Sequence, residues 1–373
     1  MIDRRLLRNF DLGILFVALA ISLIGVMTIY SGTRPVLDAE QQNFYLKQLN
    51  WIGLSLLALF VVASLDYRRP LQLAYIFYGI GVFLLIVVLV AGRIGMGAQR
   101  WISIGFFSFQ PSEFFKIFFI LAVSRYLSEM EQEAELNLLK LTKITAVFLA
   151  FPAALIIMQP DLGTALILIF IFISMVMIFG IRKKIIAVAV IIGIISVPFL
   201  GNIMFQSLKG YQKYRIVAFI DPSVDPRGIG YHIIQSKVTI GSGGFSGKGF
   251  QKGTQGPLRF LPERHTDFIF SIFAEEWGFM GSVFLFLLYL FIIIRGFDTA
   301  RVASDKAGCY LAVGITSMFT FYFVINIAMT LGMAPVVGAP LPLMSYGGTA
   351  LLSNFISLGF LESIRMRRSF LSY

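Results

Sequence analysis

The chain has 373 residues, 57% hydrophobic, 15% aromatic and only 14% charged, with a net charge of +11. With a mean hydropathy of +0.82, this composition excludes an ordinary soluble domain and makes the bilayer the solvent to reason with. A single cysteine, Cys309, excludes a disulfide framework and a cysteine metal site, and two histidines, His232 and His265, cannot build a zinc site by themselves.

Apolar runs near the roughly 20 residues that a span requires fall at 12–30, 48–65, 71–91, 111–127, 143–159, 161–180, 185–205, 267–294, 308–331 and 345–364. The first follows MIDRRLLRNF and resembles a signal peptide. It is too long for an h-region and no small-x-small cleavage site follows, so it is read as an uncleaved helix. Arg4, Arg5 and Arg8 precede it, Arg68 and Arg69 follow the second run, and Arg182, Lys183 and Lys184 the sixth. Arg295, Arg301 and Lys306 follow the eighth, and Arg365, Arg367 and Arg368 the tenth. All fall on one side, which the positive-inside rule makes cytoplasmic, with both termini there. The basic excess therefore reads as topology, not nucleic-acid binding. The expected fold is an all-α polytopic membrane protein, one domain over residues 1–373. It has ten transmembrane helices and a large extracytoplasmic loop, 206–265, between helices 7 and 8.

On this topology the outer helix ends collect the polar groups. Arg100 and Trp101 of GAQRWISIG lie in the loop after the third span. The fourth opens on QPSEFFK, where Pro111 suits a first turn and Glu113 the positive helix end. Lys116, three residues on, shares the face of Glu113, so a mutual ion pair is as good a reading as ligand binding. The sixth opens on QPDLGT, where Asp161 reads equally well as an N-cap. Loop 206–265 carries nine Lys or Arg, Lys248, Arg259 and Arg264 among them, against Asp221, Asp225 and Glu263. That excess fits either anionic headgroups or a phosphate-bearing ligand on the outer face. Within it, GSGGFSGKGFQKGTQG at 241–256 has seven glycines but is not a P-loop. Ser242 stands where the first glycine is needed and Gly249 follows the lysine. A mobile lid, a backbone cradle for phosphates and a plain loop all remain open.

The eighth span opens on LPERHTDFIFSIFAEEWG, 261–278. Asp267 stands at its outer start and also suits a cap. Glu275 is about 80° round the helix from Asp267 and roughly 12 Å further along, and Glu276 lies on the opposite side. This spacing excludes a paired-carboxylate site of the glycosidase kind. The two glutamates read as structural partners for Arg or loop backbone; His265 is left unassigned, with loop orientation open to it and a ligand role not given. No charge falls near the middle of a span, where Asn326 is the main polar side chain. Ion-coupled transporters use such midplane positions, so a site facing the outer leaflet fits better. One acid among cations there suits a general base beside a phosphate-bearing leaving group.

These residues carry a resemblance. GAQRWI at 97–102, QPSEFFK at 110–116, QPDLGTA at 159–165, LPERHTDFIFSIFAEEWG at 261–278 and PLPLMSYGGTALLSNFISLG at 340–359 resemble, in order, the signatures of the SEDS family (shape, elongation, division and sporulation). The match covers nearly the whole chain, and the arginine of ERHTDFIF resembles the family's elongation, RodA-like, branch. The resemblance implies a peptidoglycan glycosyltransferase that polymerises lipid II on the outer face of the bacterial cytoplasmic membrane, with a class B penicillin-binding protein as partner. It assigns the essential acid to Asp267. It places Arg100, Trp101, Glu113 and Lys116 in the site, and Asp161, Lys248, Arg259 and Arg264 join them as candidate substrate contacts. The implied transfer joins the acceptor hydroxyl of lipid II to a lipid-linked strand with inversion, so one base suffices. Cations stabilise the departing pyrophosphate, with or without a divalent cation; no dedicated metal cage is evident. A lipid II flippase and a non-catalytic scaffold are the competing expectations.

Overall fold

The computed structural model describes residues 9–33, 43–95, 98–104, 107–130, 138–180, 228–254 and 265–368, with 217, 219, 221 and 224. The expected span 185–205 and the site candidates Arg259 and Arg264 lie outside the described residues. The helices are α1 (Leu12–Thr33), α2 (Phe44–Ser64), the short α3 (Arg68–Gln72), α4 (Ala74–Ala91), α5 (Pro111–Met130), α6 (Leu138–Ile144) and α7 (Phe151–Met158). They continue with α8 (Leu162–Phe179), α9 (Ile229–Ser242), α10 (Ile269–Arg301), α11 (Lys306–Thr330) and α12 (Gly348–Met366). Helices α6 and α7 run together through a π-helical turn, Thr145–Ala150, just before Pro152. Proline cannot donate to residue 148 and its ring crowds that carbonyl, which a widened turn relieves.

Among the described residues, seven helices are long and apolar enough to cross a membrane: α1, α2, α4, the joined α6–α7, α8, α10 and α11. In hydrocarbon a helix satisfies its own backbone, and hydroxyls inside these helices fold back in the same way. Ser22 Oγ donates to Ala18 O (2.9 Å), Thr28 Oγ1 to Ile24 O (2.8 Å) and Thr316 Oγ1 to Ala312 O (2.7 Å). Helices α5 and α12 are equally long but more polar, because they are buried along nearly their whole length. Helix α5 packs against α4 and α11, and α12 packs most extensively against α2. A helix wrapped by protein does not need a lipid-compatible surface, so Glu113, Lys116, Asn354 and Glu362 are tolerated inside.

Two segments expected as loop are ordered. The segment around GAQRWISIG forms an antiparallel sheet of β1 (Arg93–Gly95), β2 (Ala98–Ile104) and β3 (Phe107–Phe109), with Arg93 opposite Trp101 and Ile102 opposite Phe109. Part of 206–265 forms α9, which packs on α10. There Ser236 Oγ meets Ser271 Oγ at 2.7 Å and donates to Thr330 O at 2.6 Å.

At the end of the bundle away from Asp267, arginines from distant chain regions share acids. Arg295 and Arg365 both pair with Asp11 (2.5 and 3.2 Å), and Arg365 also with Asp298 (2.9 Å). Arg68 pairs with Asp305 at 2.9 Å. Tyr67 donates to Asp305 at 2.7 Å, and burial pushes its phenol up to about 12.

Candidate functional site

Asp267 lies in the turn 265–268 that leads into α10. The carbonyls of this turn are held in succession. His265 O accepts from Tyr346 N (2.8 Å), Thr266 O from Ser345 Oγ (2.7 Å) and Asp267 O from Asn326 Nδ2 (3.0 Å). The His265 ring packs against Phe44 (5.0 Å) and Tyr346 (5.8 Å between centroids). With its backbone fixed, Asp267 itself is only partly buried.

Ser345 and Tyr346 belong to one irregular stretch, 336–347, and this hub is what gathers the site. Asn326 Nδ2 bridges Asp267 O to Ala339 O (2.7 Å). Tyr289 of α10 donates to Pro342 O at 2.6 Å, and Gln48 of α2 to Ser345 O at 3.2 Å. Helix α1 reaches the hub at Gly25, where a Cβ would stand 2.3 Å from Met344 O. Helix α8 reaches it at Gly163, where a Cβ would stand 2.7 Å from Val337 O. Leu343 holds φ at 67°, a conformation costly for a branched residue and tolerated where the surroundings fix it. Irregular backbone inside a membrane bundle survives only when protein satisfies it, and these contacts do that.

Two further groups border the hub. Lys116 Nζ donates to Glu113 Oε1 at 2.8 Å and to the Tyr322 hydroxyl, and Ser353 Oγ donates to Glu113 Oε2 at 3.4 Å. Lys116 is 1% exposed. The pair is therefore interior; its partner Tyr322 stands one helical turn along α11 from Asn326, and Glu113 with Tyr322 lines a small cavity closed by Pro340–Leu343 and Ser345. Arg100, on β2, donates to Pro160 O and lies 3.7 Å from Asp161 Oδ1. Asp161 also caps α8, accepting from Thr164 N (3.2 Å) and Thr164 Oγ1 (2.9 Å). Trp101 is partly exposed on the same strand.

The structure thus ties the Asp267 carbonyl through Asn326 to the hub, sets the Glu113–Lys116–Tyr322 group against the same hub across a small cavity, and brings Arg100 to Asp161. Lys248 is engaged elsewhere, donating to Glu275 Oε1 at 2.6 Å. Sequence reasoning gave no role to Gln48, Tyr322, Ser345 or Tyr346. Ser345 and Tyr346 had a signal in the PLPLMSYGG run, whose prolines and paired glycines cannot continue a helix and mark an ordered non-helical segment; Gln48 and Tyr322, inside apolar spans, had none. Among the described residues, no group of three or more His, Cys, Asp or Glu side chains could hold a metal ion.

Residues 11–369 match the family of cell cycle proteins that unites FtsW, RodA and SpoVE. The chain is 37% identical over 364 residues to the peptidoglycan glycosyltransferase MrdB of Escherichia coli K12, covering 98% of this chain and 95% of that protein. It is 33% identical to the peptidoglycan glycosyltransferase RodA of Treponema pallidum over 428 aligned positions, covering 96% and 98%. It superposes with a TM-score of 0.82 and 31% identity on a chain of a peptidoglycan synthase complex that coordinates polymerization and crosslinking, covering 96% and 98%. The rod shape determining protein RodA of Thermus thermophilus gives a TM-score of 0.70 at 29% identity, again over 96% and 98%. Agreement in sequence, in fold and over the full length leads to one conclusion: this membrane protein belongs to the FtsW/RodA/SpoVE family.

Proposed function

We propose that the chain is a peptidoglycan glycosyltransferase that polymerises lipid II into glycan strands at the outer face of the cytoplasmic membrane, with Asp267 as general base. Relatives that share its whole length carry that activity in their names. The topology behind the reading has ten spans, both termini cytoplasmic and loop 206–265 outside. It is supported by the arginine–aspartate network at one end of the bundle and the Asp267 site at the other.

One observation carries the role of Asp267. Glu113, Asp161, Glu275 and Glu276 are all buried and each is engaged by a cation, a cap or loop amides. Asp267 is partly exposed, on a backbone pinned through consecutive carbonyls. A base needs that combination of access and fixed position. In the proposed step Asp267 takes the proton from the 4-hydroxyl of the N-acetylglucosamine of lipid II. The hydroxyl oxygen attacks the anomeric carbon of the strand, and the bond to the lipid pyrophosphate breaks with inversion. Arg100, Arg259 and Arg264 offer charge to the leaving group. Lys116 acts from behind the wall by fixing Glu113 and Tyr322. Trp101 and Asp161 complete the Arg100 side. Chelation of divalent cations tests whether a metal shares the pyrophosphate's charge. The similarity to a synthase complex supports a penicillin-binding protein as partner.

Purified protein in liposomes, given labelled lipid II in the outer leaflet, is expected to lengthen it into polymer. Movement of label between leaflets without chain growth would identify a flippase instead. Normal polymerisation by a complex carrying Asp267→Asn would identify a scaffold.

A further inference from the structure

Gly278 interrupts α10 with φ 65° and ψ −161°. A break of this kind forfeits the bonds that Phe279 N and Met280 N would give to Glu275 O and Glu276 O. The glycine-rich loop makes them good. Lys248 N donates to Glu275 O (3.0 Å) and Gly249 N to Glu276 O (2.9 Å), while Phe279 N donates to Gly244 O (3.0 Å) and Met280 N to Phe245 O (3.1 Å). The loop is spliced into the helix.

The glycines follow from that closeness. A Cβ at Gly243 would stand 2.1 Å from Ala274 O, at Gly247 2.2 Å from Glu276 O, at Gly253 2.9 Å from Glu275 Oε2 and at Gly278 2.3 Å from Gly247 N. The carboxylates lock the splice. Glu275, 0% exposed, accepts from Lys248 Nζ (2.6 Å), Thr254 N (2.8 Å) and Thr254 Oγ1 (3.0 Å). Glu276 Oε1 accepts from Gln251 N (3.2 Å) and from Ser31 Oγ on α1. Amides that a phosphate cradle would need are bonded to this helix.

We propose that loop 243–254 is a brace that sets the placement of Asp267, with Glu275 as its positioning residue and Lys248 as the partner that holds it. The inference rests on Asp267 being the general base. Residues 269–277 form a short helical arm, with Asp267 at its free end and the break at its root. The hub fixes the free end and the spliced loop fixes the root. Slackening the root turns the arm and moves the carboxylate from the acceptor hydroxyl, while substrate contacts borne by other elements persist.

The test is steady-state polymerisation by the full-length protein carrying Glu275→Gln, Lys248→Gln or Lys248→Arg, with melting temperature recorded for each. In Glu275→Gln and Lys248→Gln, kcat is expected to fall about tenfold or more, since a shift of about 1 Å from reacting geometry costs up to about a hundredfold. KM for lipid II is expected to stay within about twofold, the signature of an interaction that matters in the transition state. Lys248→Arg, which keeps the charge, recovers most of the loss. Wild-type kcat in Lys248→Gln, or a loss carried by KM, overturns the brace and makes the loop a passive or substrate-contacting segment. Should Glu275→Gln fail to fold, Lys248→Gln decides, because Lys248 is 27% exposed at its side chain. Asp267→Asn is run in parallel. Polymer from that variant sinks the base reading whatever the loop variants do. An inactive Asp267→Asn beside normal loop variants removes only the brace.

Discussion

Asn326 illustrates how a single buried amide organises this site. Its Nδ2 serves Asp267 O and Ala339 O at 3.0 and 2.7 Å, so one side chain joins α11, the hub and the turn that carries Asp267. Asn326→Leu removes the donor and leaves both carbonyls buried. The expected cost is about 1–3 kcal/mol of stability, read as a lower melting temperature, together with a fall in polymerisation greater than the melting shift explains. The sequence showed Asn326 as a polar residue in an apolar span, but not its partners, because both are main-chain carbonyls more than ten residues away. The position of Asp267 just before α10 was legible, since an acid at the start of an apolar stretch is a local signal; its proposed role as base came from the resemblance, because spacing alone left a helix cap open as well.

At the scale of elements, the hub at 336–347 governs. Helix α1 touches it where Gly25 lets Met344 O approach to 2.3 Å of a built Cβ, whereas a Cβ on Gly32 meets nothing closer than 3.9 Å. Gly25→Ala is therefore expected to destabilise by about 1–3 kcal/mol, as overpacking does. Gly32→Ala is expected to be neutral or stabilising by up to about 1 kcal/mol, from helix propensity. Thermal unfolding of the two variants in the same detergent checks the contrast. Periodicity and hydropathy found the helices that face lipid, because lipid selects their composition. They gave no hint of the β1–β3 sheet or of α9, whose order comes from tertiary contacts. The role of Lys248 escaped for a related reason. A lysine among glycines reads as a ligand-binding loop until the broken helix that it bonds to is known.

The whole molecule is tied at both ends, and the two ends differ in kind. At the end away from Asp267, charge pairs hold helices from distant parts of the chain. Arg365 and Asp11 are buried, with side chains 6% and 5% exposed, while Arg68 and Asp305 are 39% and 30% exposed. Arg365→Gln takes away one of the two arginines on buried Asp11, leaving Arg295 at 2.5 Å, and is expected to cost about 1.5–3 kcal/mol, the worth of a buried hydrogen bond to a charged group. Arg68→Gln is expected to cost no more than about 1 kcal/mol. Unfolding in detergent at matched ionic strength distinguishes the two.

At the other end the ties converge on one partly exposed carboxylate. Polymerisation of purified lipid II by Asp267→Asn, beside wild type, tests that convergence most directly. The account predicts a rate lower by about a hundredfold or more, the usual worth of a general base, with melting temperature and membrane insertion unchanged. Polymer at the wild-type rate from the folded variant would contradict it.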